Sequence, residues 1–409
     1  MIINILLGLF TALLAAWVAI FALQILAALR ACQRGDSISQ LAAEPTDADK
    51  NVHCSYAVLI PAHDEAKVIG ATLDALNESL DSRGRIVVVA DNCSDATAAI
   101  ARAAGAEVIE RFNTDLRGKG FALDCGLRHL AAQAPDVVVV FDADCQFAAA
   151  ADLPALAEAA LNSGRPVQAH YAMRVRGDEG TTRKVDHFAW RIKNFLRPLG
   201  MRYLGMPCQL MGTGMAFPWS QIANAQIASD DIVEDMSLGL ALAMQGTAPL
   251  FLPSATVCSD FPDQASARTS QRSRWEHGHM QTILFVIPPL LGKALLRRNG
   301  AAAGLLADLS VPPLTLLVLL VAVHGSLSVL ATLLTGWLGW AAFAVAIWLA
   351  LGLSLSLAWH RVAREIIGFR DLLGIAEYLC GKLQIYASFL FGRQKTWVRT
   401  ERYRQAEDC

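Results

Sequence analysis

The sequence predicts an α/β unit built on a mainly parallel sheet, accompanied by transmembrane and interfacial helices. Three observations predict it. The run Val137-Val138-Val139-Val140-Phe141 stops abruptly at Asp142-Ala143-Asp144, and such β-branched runs are strands buried on both faces. Between residues 55 and 263 short apolar runs alternate with helical spacing, the pattern of right-handed βαβ crossovers. Finally, 54% of the 409 residues are hydrophobic, and the excess lies in long apolar stretches at the two ends.

In chain order, residues 2–29 are almost uninterruptedly apolar and are followed by Arg30 and Arg34. A cleaved signal peptide would carry its positive charge first. The order found here favours an uncleaved helix whose C-terminal end faces the cytoplasm. Strands are expected at 56–61, 85–90, 107–110 and 136–144, and helices at 65–80, 95–104 and 118–132. The remainder of the α/β unit is less regular, with the stretch 166–176, a basic helix-like segment 181–202 and the Gly-rich 209–217. Residues 283–291 are too short to span and contain Pro288-Pro289, which places them at the membrane surface. Residues 304–330 and 335–358 are each long enough to cross. Their basic flanks (Lys293, Arg297 and Arg298; Arg361 and Arg364) are cytoplasmic by the positive-inside rule. A crossing by 371–392 would put Arg393, Lys395, Arg399, Arg402 and Arg404 outside, so that segment is read as interfacial. The expected division is a transmembrane helix in 1–34, a linker in 35–54, the α/β domain in 55–276 and an interfacial helix in 277–300. Two transmembrane helices in 301–360 and an interfacial segment with a basic cytosolic tail in 361–409 complete it.

The formal net charge of −2 carries no basic excess of the kind nucleic acid demands. Nine cysteines lack metal-ligand spacing and read as reduced thiols rather than a disulfide framework.

Four stretches carry chemistry. Asp142-Ala143-Asp144 follows a strand, where open α/β sheets bind ligands, and two carboxylates can hold Mg²⁺ or Mn²⁺ against a diphosphate; a solvated turn is the alternative. Asp91 ends a strand and suits a base N–H or ribose hydroxyls, whereas Ser94 or Asp95 is the cap of the next helix. Arg117-Gly118-Lys119-Gly120 opens a helix and lets backbone approach an anion, or is an exposed turn. In Asp230-Asp231-Ile232-Val233-Glu234-Asp235 the acids suit a first helical turn. One carboxylate is also what an attacking hydroxyl needs as base; Asp235 is assigned that role and Glu234 a structural or orienting one. Last, Gln271-Arg272-Ser273-Arg274-Trp275 offers a guanidinium for a leaving diphosphate and an indole face for a sugar or base. A basic juxtamembrane stop is the plain alternative.

Taken as an ordered set, Ile60-Pro61-Ala62-x-x-Glu65, Asp91, Asp142-Ala143-Asp144, Glu234-Asp235 and Gln271-x-x-Arg274-Trp275 resemble the membrane-bound inverting glycosyltransferases of family two. Cellulose, chitin and hyaluronan synthases and ceramide glucosyltransferase belong to or near that group. The resemblance covers about residues 55–280. It implies a GT-A (Rossmann-like) fold, a UDP-sugar donor and Mg²⁺ or Mn²⁺ on Asp144 and Asp142. It also implies donor contacts from Pro61, Glu65, Asp91, Lys119, Asp142, Ala143, Gln271 and Trp275, and Asp235, Glu234 and Arg274 at the chemistry. Gly212-Thr213-Gly214 resembles the family's acceptor-side loop, joined there by Trp275. His63-Asp64 and Val233 depart from the family pattern, and there is no counterpart of the cellulose-synthase gating loop.

The acceptor expected is lipid-linked, a polyprenyl-diphosphate saccharide of exopolysaccharide or capsule assembly, with membrane lipids as further partners. A processive chitin- or hyaluronan-like synthase is the alternative, and a non-catalytic nucleotide-binding receptor a third. His277 and His279 are candidates to touch metal or diphosphate, or are polar residues at a membrane edge. His324 is read as a neutral histidine facing another helix. Arg174, Arg176, Arg183, Lys184, Arg191, Lys193, Arg197 and Arg202 are a solvated face, or gather anionic lipids or an acceptor's pyrophosphate.

Overall fold

The computed structural model describes residues 2–33, 54–174, 180–229, 231, 233–262 and 265–391. Residues 35–53 of the linker expected in 35–54, Arg176, Asp230, Ile232 and the basic tail from Arg393 onward lie outside the described residues. Contacts divide the chain into two units. One holds all the strands and the other collects residues 1–34, 176–205 and 276–393.

The first unit is an eight-stranded sheet. Its strands are β1 (Tyr56–Ala62), β2 (Gly84–Asp91), β3 (Glu107–Arg111), β4 (Val137–Val140), β5 (Gln146–Phe147), β6 (Val167–Met173), β7 (Met215–Pro218) and β8 (Leu250–Ser259), in the spatial order β3-β2-β1-β4-β7-β6-β8-β5. β3, β2, β1 and β4 are parallel to their neighbours, in line with the buried apolar runs of β1, β2 and β4. All four residues of β4 are buried, and so are the last six of β2. Beyond β4 the sheet becomes mixed: β7 is antiparallel to both β4 and β6, β6 and β8 are parallel, and β5 is antiparallel to β8.

Strand positions match the sequence expectation with one shortening. β4 ends at Val140 rather than at Asp144, because Phe141 leaves the ladder after a last bond to the Leu59 carbonyl and Asp142–Cys145 close a turn. The helix expected from residue 65 begins at Ile69. One core layer is formed where Leu123, Leu127 and Leu130 of the helix Lys119–Leu130 pack on Leu59, Val87, Val89, Val138 and Val140. A Cβ at Gly126 of that helix would stand 2.3 Å from the Leu59 side chain, so the glycine sets how closely helix and sheet approach.

The second unit is helical. Among the described residues, four helices are long and apolar enough to cross a membrane: Asn4–Gln33, Arg268–Leu296, Leu314–Thr335 and Gly339–Val362. Three spans were expected. The addition arises because 283–291 is no isolated segment. The helix Ala265–Gln281 continues through a π turn at Thr282–Val286 into Ile287–Leu296. Pro288 and Pro289 then fall in the first turn after the π turn, where a missing N–H costs little. Conversely, 304–330 is not one helix. Gly300–Ser310 and Leu314–Thr335 are separated at Val311-Pro312-Pro313. Residues 369–391 form a short 3₁₀ turn and the helix Ile375–Phe391.

Arg197, expected on a solvated face, is instead buried. It donates to the Asp308 carboxylate at 2.7 Å and to Gln24 Oε1 at 2.9 Å, and Gln24 donates to Asp308 at 2.7 Å. Every charge in that knot is paired and hydrogen-bonded, the condition for tolerating it inside. Lys184 pairs with Asp371, and Arg191 donates to the Val362 carbonyl. His324 bonds the Thr11 hydroxyl of another helix at 2.8 Å, as read from the sequence. His277 and His279 donate to the carbonyls of Ile385 and Leu309, so their Nε2 atoms serve helix packing and not a metal or diphosphate.

Candidate active site

The carboxyl ends of β1, β2 and β4 lie side by side in register, and the loops that follow them carry the acids. After β4, Asp142 and Asp144 each offer an oxygen that lies, together with the Cys145 thiol, within 4.8 Å of the others. The turn is held from several sides. Thr72 donates to the Ala143 carbonyl at 2.8 Å, the Asp142 N–H donates to the Thr213 hydroxyl at 3.1 Å, and Cys145 N–H closes onto the Asp142 carbonyl. Two half-buried hard oxygens on a fixed turn fit an octahedral Mg²⁺ or Mn²⁺ that keeps further positions for water and phosphate. Burial pushes the Cys145 thiol up to about 12, so it stays neutral there.

Asp91 closes β2. Arg111 at the end of β3 and the Asn92 amide both donate to its Oδ1, at 2.5 and 3.0 Å. Asn92 has a positive φ of 52° and donates its N–H to the Arg111 carbonyl. The helix expected from residue 95 begins at Thr97 with Ala96 at the N-cap position, so Asp95 is not the cap; it accepts the Thr97 N–H at 2.9 Å from one residue further back. The loop after β1 is knotted to the same region. His63 donates to the Asp91 carbonyl at 2.7 Å, Asp64 accepts the Ser94 N–H at 2.6 Å, and Glu65 donates its N–H to the Thr97 hydroxyl at 2.8 Å. Pro61 lies within β1 itself. The His63-Asp64 departure from the family pattern is thus a pair of struts between two loops.

Lys119 stands at the start of its helix, and its ammonium is bonded within the fold. It donates to Asp142 Oδ1 at 2.5 Å and to the Gly212 carbonyl at 2.8 Å. Gly120 beside it allows close backbone contact, since a Cβ there would stand 2.4 Å from the Ile227 carbonyl. Gly212 has φ +90°, and a Cβ on it would lie 3.5 Å from Asp235 Oδ2 and 3.7 Å from Lys119 Nζ. The metal-type acids, the lysine and the proposed base therefore share one small volume.

Glu234 and Asp235 open the helix Glu234–Met244. Asp235 Oδ1 accepts the Met236 N–H at 2.8 Å, while Asp231 accepts from Val233 N–H and Ser237. Burial, and then the Asp235 charge, push Glu234 up to about 7. Burial works against the charge on Lys119, yet Asp142, Glu234 and Asp235 together hold its pKa above the ordinary value. Arg274 lies within electrostatic reach of Glu234, Asp142 and Asp235, and Gln271 is buried one turn before Trp275. Thr213, expected on the acceptor side, is wholly buried; its hydroxyl supports Asp142 from beneath.

Two supporting residues carry no motif. Gln168 in β6 is fully buried and clamps the Gly212–Gly214 loop, accepting from Met211 N–H and donating to the Thr213 carbonyl. Arg111 is the second. Its only sequence signal is a basic residue at the end of a strand next to Asp91's.

Comparison with known proteins identifies the family. The probable glycosyltransferase YdaM of Bacillus subtilis is 27% identical over 256 residues, which are 56% of this chain and 56% of that protein. The uncharacterized protein MJ1222 of Methanocaldococcus jannaschii is 37% identical over 89 residues, 22% of this chain and 35% of that protein. The chain thus spans about half and about a third of the lengths of these relatives. A mannosyltransferase from Pyrobaculum calidifontis, solved with GDP-Man and Mn²⁺, shares the fold at 18% identity and TM-score 0.50, over 93% of this chain and 100% of that one. The sequence model described as "Glycosyltransferase like family 2" matches residues 53–278, more than half of the 409 residues, and the chain belongs to that family.

Proposed function

We propose that the protein transfers a sugar from a UDP-sugar to a membrane acceptor, a polyprenyl-diphosphate-linked saccharide, with inversion, at the cytoplasmic face of the inner membrane. The observation that carries the reading is the convergence of Asp142, Asp144, Lys119 and Asp235 around Gly212. It supplies a diphosphate-holding metal pair and a base within one site, which a nucleotide-binding receptor would not need.

Each residue has a task. Asp144 and Asp142 would hold Mg²⁺ or Mn²⁺, which when bound screens the charge of the diphosphate. Asp91 receives the nucleobase. Both of its internal bonds fall on Oδ1, which leaves Oδ2 for one incoming donor. Uracil presents one imide N–H, whereas guanine presents two adjacent donors that want both oxygens. The preference for UDP over GDP follows. Asp235 takes the proton of the acceptor hydroxyl as that oxygen attacks the anomeric carbon in line with departing UDP, and the α linkage becomes β. Arg274 offsets charge on the leaving group, Trp275 and Gln271 line the sugar, and Glu234 orients Asp235.

The setting is supported by the four apolar helices. Of these, Arg268–Leu296 has the lowest mean hydropathy, 1.3 against 2.1–2.5 for the rest, and begins with Gln271, Arg272, Arg274, Glu276, His277 and His279. We read it as lying along the membrane surface, since charges are costly at the bilayer centre. Were it to cross, the helix count would move toward that of processive synthases, so that alternative keeps one observation in its favour.

The test is a screen of UDP- and GDP-sugars with the full-length protein in detergent and lipid-linked acceptors. Expected is UDP release that depends on acceptor and metal, with one sugar added per acceptor. A ladder of products would replace the single-addition reading with the processive one. No nucleotide release from any donor would end the enzymatic reading.

A further inference from the structure

Lys119 has an uncommon position: a mostly buried ammonium bonded to one of the two carboxylates expected to hold a divalent cation. Its Nζ lies 2.5 Å from Asp142 Oδ1 and 2.8 Å from the Gly212 carbonyl, and only 19% of its side chain is exposed. Glu234 and Asp235 act on it electrostatically from the helix they open, and Arg274 faces the same acids. An ammonium and a divalent ion on one carboxylate are like charges about a carboxylate's width apart. In a half-buried site that repulsion is screened far less than in water. The pair Lys119–Asp142 and a metal at Asp142–Asp144 are therefore antagonistic states of the same site.

We propose that Lys119 is a displaceable counter-ion that occupies Asp142 between turnovers and couples binding of the divalent cation to binding of the nucleotide diphosphate. A bare cation must bind against the ammonium. A cation arriving with a diphosphate brings negative charge that gives the ammonium a new partner beside the vacated carboxylate. After transfer, the return of Lys119 to Asp142 favours loss of the cation together with UDP. The residue is a positioning group, since it acts on the substrate through Asp142 and the cation. The inference rests on the metal–nucleotide reading above and deepens it.

The experiment measures Mn²⁺ binding by electron paramagnetic resonance, with the full-length protein in detergent, with and without UDP. It compares wild type with Lys119→Met and with Lys119→Gln; the glutamine keeps a donor for the Gly212 carbonyl without the charge. Without UDP, both variants are expected to bind Mn²⁺ about tenfold more tightly than wild type. The gain in Mn²⁺ affinity that UDP confers on wild type is expected to shrink in both variants. UDP is expected to become a stronger product inhibitor. A residue that merely props the loop would weaken Mn²⁺ binding when removed, the opposite sign. Mn²⁺ affinity unchanged or weakened in both variants, with wild type binding normally, overturns the inference alone. Absence of Mn²⁺ binding by wild type under either condition overturns the metal reading and this inference together.

Discussion

Two acidic pairs stand at the mouth of one sheet. Asp142 and Asp144 follow β4 on a turn fixed by Thr72 and Thr213, and Asp142 is partnered by an ammonium. Glu234 and Asp235 open a helix, and burial together with their mutual repulsion pushes Glu234 up to about 7. In the proposed reading the first pair holds a cation and the second handles a proton, with Glu234 held well above the ordinary carboxylate range by burial and by Asp235. Residue type is the same; surroundings assign the chemistry.

The largest expected effect breaks the second pair. Asp235→Asn should lower kcat about 10³-fold, the scale of a lost general base, while UDP and Mn²⁺ binding persist. Ordinary turnover in that variant would remove Asp235 from the chemistry. Breaking the first pair comes next. EDTA should lower turnover by about 10²-fold or more, with recovery on added Mn²⁺. Asp144→Asn should abolish that recovery. Undiminished activity after chelation would assign the first pair to structure alone. A smaller effect is expected at Arg111. Arg111→Met removes the charged one of the two donors on Asp91 Oδ1 and leaves only the Asn92 amide, so the affinity ratio of UDP to GDP should fall about tenfold, read by calorimetry. An unchanged ratio would detach base choice from the Arg111–Asp91 pair.

How much of this was legible differs between the two halves of the sheet. β1, β2 and β4 were legible because burial on both faces leaves an unbroken apolar run, and the acids stand where those runs stop. The mixed half was not. β5 is two residues long, and β7 emerges from a glycine loop whose shape is set by Gln168, over 40 residues away in sequence. In the helical unit, proline pairs misled in both directions. Val311-Pro312-Pro313 interrupts a stretch that hydropathy alone reads as continuous, while Pro288-Pro289 sits harmlessly after a π turn that has no sequence signature. The Lys119–Asp142 pair was hidden for the same reason as Gln168: a tetrapeptide flanked by glycines describes a local anion site, and only the tertiary fold turns its ammonium toward an acid 23 residues on.

The subtlest difference between the pairs should appear in stability. Glu234 ordinarily ionises near 4.5 and is held at about 7 in the folded protein. Below about pH 4.5 it is protonated in both the folded and unfolded states, and the stability tied to that proton is fully present. As pH rises from about 4.5 toward 7 the unfolded chain releases the proton while the folded site retains it, so wild type loses stability progressively. Above about 7 the loss is complete. Glu234→Gln has no proton to release. Its Tm should therefore match wild type near pH 4 and exceed it by a few degrees at pH 8, measured by thermal unfolding in detergent. A Tm gap for Glu234→Gln that does not change between pH 4 and 8 would mean that the two pairs do not divide charge and proton between them.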